Sequence, residues 1–578
     1  MTASTDTLPR WAAEMRDLFR SGSAAQFILH GNVFDVVPSG GRMLSVPAFL
    51  DEVMFGTYDV VLRYDRSRGV RATRGGEDWG SWLQSALGRE SSTMSLMREP
   101  GSALELIDRY LLRAMNLRAL PGGGAAPKRI AVIIEFAEFV VPRGDAAHLG
   151  GPFAANTVKV LGWANDPTIA QSNIVTVLVS EGLHDLNALV VENPHAAALH
   201  VPLPDEAAMH AYVQALAATQ FPDLASKSDV SLDTLAARLT GLSRIGARTA
   251  IALALGTDRR VTSAWLTEIK KELIEREGQG LLEFVESPFT LDHVAGHDAV
   301  KAWLREDAAL LRRNALRALP MGYLIAGRIG TGKTFIVQCW AGELGIPCVV
   351  FKNFRDRWVG ATESNLEKIF AILRALGQVV VFVDEADQAA GRRESGDGDS
   401  GLSGRVYSML AKEMSDTRNR GRIVWVFATS RPDLLEVDLK RQGRLDVHIP
   451  LFPPETPQER EALLLAIARK LKFPLTADDL PPLADGITLG GNELEGLLVR
   501  ALRTHELASE RGEATRPMRD ILADLVKEVR PNPHTRKLEY MDLVAVKECT
   551  DVRFLPEKYR DLTPEELETQ IDALKRFV

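Results

Sequence analysis

The feature that most constrains this chain is the run Gly327-Arg328-Ile329-Gly330-Thr331-Gly332-Lys333-Thr334. It lies between an apolar stretch, MGYLIAG at 321–327, and a helix-like one, TFIVQCWAGELG from Thr334. Its spacing is G-x-x-x-x-G-K-[ST], and strand before, helix after is the context that this spacing requires. Glycines let backbone amides turn toward phosphates, and the helix N-terminus adds partial positive charge. Lys333 then reaches the terminal phosphates and Thr334 offers its hydroxyl to Mg2+. A chance glycine-rich turn is the alternative, and the strand-loop-helix setting argues against it.

Two further apolar, β-branched runs follow, VVVFVDEAD at 379–387 and IVWVFATS at 423–430, with helix-like ESNLEKIFAILRALG from Glu363 between strands. This alternation predicts an α/β domain with a parallel sheet and crossover helices. Asp384 and Glu385 end one strand and so project from the carboxyl edge of the sheet, where ligands of open α/β folds collect. Asp384 is assigned to the Mg2+ shell, and Glu385 to orienting and deprotonating the attacking water. After Pro457 the pattern turns helical, as expected of a lid domain.

The first half repeats the order. FILHGNVFDVV at 27–37, RIAVIIEFAEFVV at 129–141 and NIVTVLVSEG at 173–182 are expected buried strands, and LAARLTGLSRIGARTAIALALG from Leu235 resembles ADGITLGGNELEGLLVRAL from Ala484. The chain therefore reads as a diverged tandem repeat. The expected domains are a degenerate α/β domain at 1–205 with a helical lid at 206–285, an active α/β domain at 286–455 with its lid at 456–530, and a C-terminal extension at 531–578. PGGGAAPK at 121–128 and GRRESGDGDSGLSG at 391–404 carry turn-forming composition.

Bulk properties exclude several classes. A chain of 578 residues exceeds one hydrophobic core. The net charge of −8 lacks the basic excess that a polyanion would need, so no nucleic acid is expected. Cys339, Cys348 and Cys549 have neither metal spacing nor the density of a secreted framework. No leader pattern opens the chain and no run of about 18 apolar residues occurs, which predicts a cytoplasmic protein that does not enter a membrane.

With these motifs in place, the segment from Phe289 to Ser509 resembles the AAA group of ring ATPases. HVAGHDAVKAWL at 293–304 resembles the family's opening segment, whose backbone at Ala295 and Gly296 is expected to border the adenine. FATSRPDLL at 427–435 resembles the sensor strand, with Ser430 where the family usually carries Asn. Serine donates one hydrogen bond but lacks the second end of an amide, a departure that leaves room for slower hydrolysis. KRQGRLD at 440–446 resembles the arginine-finger segment, so Arg441 and Arg444 are expected to reach a neighbouring subunit's site; surface ion pairs are the plainer alternative. Arg357-Trp358-Val359-Gly360 resembles the central pore loop, in which Trp358 and Val359 would grip an extended polypeptide and Arg355 and Arg357 would favour acidic stretches. A buried core tryptophan is the other reading. By this resemblance the nucleotide set is Ala295, Gly296, Gly327, Gly330, Thr331, Gly332, Lys333, Thr334, Phe335, Asp384 and Gly491, with ATP and Mg2+ as ligands.

The first half lacks the same chemistry. After its first strand, His30-Gly31-Asn32-Val33-Phe34-Asp35 carries neither lysine nor a following hydroxyl; Glu135 and Glu138 are spaced apart; NPHAAALHVPLPDE at 193–206 has no arginines. A catalytically silent AAA-like domain is expected, with an unrelated adaptor domain as the alternative. His30, His184, His195, His200 and His210 read as too scattered for a metal site. Near the C-terminus Thr563 and Glu566 carry the pattern of a helix capping box. The expected function is an ATP-driven protein-remodelling motor, a homo-oligomer and by resemblance a hexameric ring with chaperone character. An ATP-gated assembly scaffold with slow turnover is the alternative, and a nucleic-acid translocase the least favoured on charge.

Overall fold

The computed structural model describes residues 8–577 except 88–96, 120–127, 145–149, 352–361, 388–407, 482–488, 512–515 and 529–533, positions 345 and 474, and scattered positions between 257 and 281. The pore-loop residues Trp358 and Val359, the run at 391–404 and most of the 121–128 patch lie outside the described residues. The chain forms two compact units, Met1–Leu273 with Gly360–Ala375, and Ile274–Val359 with Leu376–Val578.

In the first unit the strands are β1 Gln26–Gly31, β2 Val36–Ser39, β3 Arg42–Ser45, β4 Val60–Asp65, β5 Gly69–Arg74, β6 Ile130–Glu135, β7 Ile174–Val179 and β8 Ala196–Val201. Six of them make one sheet in the order β5-β4-β6-β7-β1-β8, parallel except for the β4–β5 hairpin, while β2 and β3 pair separately. Both faces are covered. Ile28, Leu62, Val132 and Leu178 enter one core; Phe27, Leu29, Ile133 and Val177 enter the other. Double burial is why these strands are continuous apolar runs. Helices Glu206–Thr219, Leu232–Leu239 and Arg244–Gly256 follow, the first capped by Asp205, which accepts from Ala208 N at 2.8 Å.

In the second unit the strands are β9 Leu282–Phe284, β10 Gly322–Ala326, β11 Cys348–Phe351, β12 Val379–Val383, β13 Ile423–Thr429 and β14 Val447–Pro450. Their order is β14-β10-β13-β12-β11-β9, with only β9 antiparallel. Reading from β8 and from β14, the five parallel strands succeed one another in the same chain order in both sheets. The fold is therefore an α/β parallel-sheet architecture present twice in tandem. Helices Pro457–Lys470, Gly491–Glu510 and Met518–Glu528 share a separate core around Leu464, Leu494, Leu498 and Ile521. Helices Thr535–Glu548 and Pro564–Lys575 gather around Phe452, Tyr540, Leu543 and Ile571. Thr563 accepts from Glu566 N and the Glu566 carboxylate accepts from Thr563 N at 3.0 Å, the reciprocal cap its sequence implied.

Two long strand readings in the first half are corrected. FILHGNVFDVV ends as a strand at Gly31, because Asn32 turns the chain and donates to Asp35 Oδ2 at 3.0 Å, opening the β2–β3 hairpin. RIAVIIEFAEFVV ends at Glu135, because Phe136 takes a left-handed φ of 55°. The histidines are less scattered than the sequence suggests. β1 and β8 set the His30 and His200 rings 5.2 Å apart, and burial lowers His30 to about 4 and lowers His200 as well. Among the described residues, no group of three or more His, Cys, Asp or Glu side chains could hold a metal ion.

Candidate active site

The phosphate loop follows β10 as the sequence requires, and its backbone tolerates only glycine at key points. Gly327 has φ 151°, and a Cβ there would stand 2.3 Å from the Leu451 carbonyl oxygen. Gly330 has φ 87° and its carbonyl accepts from Gly491 N at 2.8 Å, which brings the lid helix Gly491–Glu510 onto the loop. A side chain at either position would move the backbone amides of the loop.

Lys333 donates to the carbonyls of Gly327 at 2.7 Å and Arg328 at 3.0 Å. Burial lowers its ammonium to about 8, against the pull of Asp384 and Asp387. A desolvated cation among carbonyls is poised to exchange weak acceptors for phosphate oxygens. Thr334 Oγ1 donates to Asp384 Oδ2 at 2.8 Å, so the hydroxyl from the loop and the carboxylate from the end of β12 converge on one point. Hard oxygen donors at the sheet edge fit Mg2+. Beside them Glu385 is exposed with a left-handed φ of 46°, its amide turned onto Asp384 Oδ1 at 2.9 Å. A non-glycine residue in that region costs on the order of 1 kcal/mol. The strained backbone separates the two carboxylates, one to the loop and one toward solvent.

The sensor region holds a contact that pattern reading missed. Thr429 is buried at the end of β13, donates to Asp387 Oδ1 at 2.6 Å and accepts from Arg431 N at 2.9 Å. This ties the sensor strand to the segment carrying Asp384 and Glu385. Ser430 follows at the sheet edge, half-buried. The two finger candidates differ sharply. Arg444 is 8% exposed and donates to Asp438 O at 2.5 Å and Ser415 Oγ at 2.6 Å. The Arg441 side chain is 63% exposed and meets Asp438 at 3.3 Å.

A cavity of about 380 Å3 adjoins the loop. Ala295, Gly296, Gly330, Thr331, Gly332, Phe335 and Gly491 line it, so the opening segment, loop and lid helix meet there. Sequence reading missed His297 and Asn492 on the same wall.

Family models match three successive stretches. They are an AAA+ chaperone N-terminal Rossmann-like domain over 2–202, an AAA+ chaperone second helical domain over 210–279, and the ATPase family associated with various cellular activities (AAA) over 323–452. The chain belongs to the AAA+ ATPases. It is similar to the ATP-dependent zinc metalloprotease FtsH 1 of Symbiobacterium thermophilum, 33% identical over 249 residues, covering 41% of this chain and 41% of that protein. It is also similar to the cell division cycle protein 48 homolog of Archaeoglobus fulgidus, 29% identical over 227 residues, covering 37% of this chain and 31% of that protein. The chain thus spans about two-fifths of the first relative's length and less of the second's. Among the described residues, no helix is long and apolar enough to cross a membrane.

In the first AAA+ module the corresponding positions are engaged by the module's own side chains. Asp35, buried where the phosphate loop would run, accepts from Arg244 N at 2.9 Å and Ile245 N at 3.0 Å at the start of its own lid helix. A carboxylate thus takes the amides that in an open site would face an anion. Glu135 stands at the strand end as Asp384 does, but its oxygen meets Arg63 at 2.7 Å and Arg71 at 3.4 Å. The left-handed residue after it is Phe136, where the second module has Glu385. The spacing of Glu135 and Glu138 hid this substitution.

An acid outside the matched segments touches the phosphate loop. Asp542, on Thr535–Glu548, lies 3.6 Å from the Arg328 guanidinium. Burial pushes its carboxyl up to about 6 even though Arg328 and Lys558 pull it down, with Glu455 and Glu539 adding repulsion. A carboxyl whose folded value exceeds its unfolded one near 3.8 favours folding below about pH 4 and loses that contribution as pH rises through 6. Stability from this group is expected to fall by about 2 kcal/mol between pH 4 and 7. Denaturant unfolding of Asp542→Asn across that window should show the slope flattened; an unchanged slope would assign it to other groups.

Proposed function

We propose that the second module hydrolyses ATP and drives remodelling of protein substrates as a homo-oligomer, a hexameric ring by resemblance to its family, while the first module is catalytically silent. One observation carries this reading: Lys333, Thr334, Asp384 and Glu385 converge at one sheet edge beside a nucleotide-sized cavity. Lys333 would hold the terminal phosphates, and Glu385 would take the proton of the attacking water. Thr334 and Asp384 would hold Mg2+, which when bound neutralises phosphate charge. The exposure of Arg441 fits a finger offered to a neighbour's site, which makes a lone chain incomplete. Trp358 and Val359 remain the candidate grip on a polypeptide, and the location in this reading is cytoplasmic. The protease activity named for the FtsH relatives is not carried over. His505-Glu506 is followed by Leu-Ala-Ser, without the second histidine of H-E-x-x-H.

The first test is nucleotide binding. Lys333→Ala should weaken Mg-ATP binding by about 10- to 150-fold, the loss of one to two charge-assisted hydrogen bonds. Equal affinity in wild type and variant, or none in wild type, would end the nucleotide reading. A second reading, an ATP-gated scaffold in which turnover is a slow timer, is favoured by Ser430 and by the sealed first module. Trp358→Ala separates the two: a motor loses substrate remodelling with its ATPase retained, whereas a scaffold keeps assembly and function together.

A further inference from the structure

Residues 534–577 lie outside all three matched family segments, yet part of this extension walls the nucleotide cavity. Arg553, Phe554, Leu555, Pro556 and Arg560 line it together with Gly330, Thr331 and Gly332 of the phosphate loop. The cavity wall therefore combines the loop residues Gly330, Thr331 and Gly332 with the apolar pair Leu555 and Pro556, both half-buried.

The wall is built rather than draped. Asp551 accepts from Arg553 N at 2.9 Å and caps the turn Val552–Phe554. Phe554 is buried edge-to-face against Trp303, with ring centroids 5.6 Å apart. Arg560 Nε donates to the Leu555 carbonyl at 2.9 Å and so pins the apolar pair. Lys558 pairs with Glu455 at 2.8 Å, and Tyr559 packs at a tilt against Phe452 with centroids 5.3 Å apart. Phe452, Pro453, Pro454 and Glu455 line the same cavity and join the sheet to the lid helix Pro457–Lys470. The extension is thereby anchored to the hinge on which the lid sits.

We propose that the segment 553–560 is a base-recognition wall of the nucleotide site, with Leu555 and Pro556 packing the purine face and Arg560 holding them in place. An apolar stretch of wall in the same cavity as the phosphate loop is the chemistry that a heteroaromatic base requires. The proposal rests on the nucleotide reading of the site and adds that part of the affinity for the base, apart from the phosphates, comes from the C-terminal extension.

The full chain with Leu555→Ala, Leu555→Met and Arg560→Ala tests it by calorimetric titration with Mg-ATP and, separately, with Mg-tripolyphosphate, which has no base. Leu555→Ala is expected to weaken ATP about tenfold, the scale of one lost leucine contact. It should leave tripolyphosphate unchanged, with Leu555→Met restoring ATP affinity and Arg560→Ala falling between. Unchanged ATP affinity in Leu555→Ala would overturn the wall, and so would equal loss of both ligands, since that would mean general damage to the site. A wild type that binds neither ligand would instead overturn the nucleotide reading itself.

Discussion

Glu385→Gln is expected to bind Mg-ATP as wild type does and to turn it over about 100- to 10,000-fold more slowly, the usual loss when a general base is removed. The geometry separates the two effects. Lys333 and the Thr334–Asp384 pair stand on the loop side, whereas the Glu385 side chain is directed to solvent by a left-handed backbone. Glutamine keeps the length and the backbone but cannot accept the water's proton. The first module contains the natural counterpart, since Phe136 occupies that left-handed position. Phosphate release under saturating ATP, with affinity measured in parallel, checks the expectation. Turnover within threefold of wild type would remove Glu385 from the chemistry. If the expectation holds, the variant is also the trap with which to capture a protein substrate.

The second large effect divides two arginines that the sequence treats alike. Arg441→Ala should lower turnover by about 1,000- to 100,000-fold, as loss of an arginine finger does, while leaving thermal stability unchanged. Arg444→Ala should do the reverse in kind and cost about 1–3 kcal/mol of stability, because it strips the buried donors from Asp438 O and Ser415 Oγ. Mixing is the decisive measurement. Subunits carrying Lys333→Ala and subunits carrying Arg441→Ala, each inactive alone, should regain part of the activity together, since some interfaces then pair an intact loop with an intact finger. No recovery on mixing, with assembly confirmed, would place Arg441 outside the neighbour's site. Turnover per chain should also fall on dilution.

Much of the second module was legible because its local rules agree. The glycine spacing, the strand before it and the helix after it all name one loop, and β10, β12 and β13 are apolar runs long enough to be read alone. Shorter strands were not legible. β9, β11 and β14 span only Leu282–Phe284, Cys348–Phe351 and Val447–Pro450, too few residues for a period to show. β8, with its alanines and a histidine, carries little β-propensity of its own and pairs because β1 lies beside it. In the first module the absent lysine was visible at once, but the replacement was not. That Asp35 takes the amides of Arg244 and Ile245, more than 200 positions away, is a long-range contact with no local signature.

What the sequence determined by itself was the chemistry: a phosphate loop ending in Lys333 and Thr334, an acidic pair at a strand end, and a second copy of the module without either. These are local patterns, in which spacing alone sets which backbone amides and side chains share one turn. The tertiary structure decided which of these side chains are buried and which are exposed. It buried Arg444 and exposed Arg441, placed Phe136 in the conformation of Glu385, and brought Asp542, Leu555 and Pro556 to a site more than 200 residues earlier in the chain. Such assignments depend on burial and on neighbours contributed by distant segments, and those exist only once each sheet has packed against the helices of its own unit.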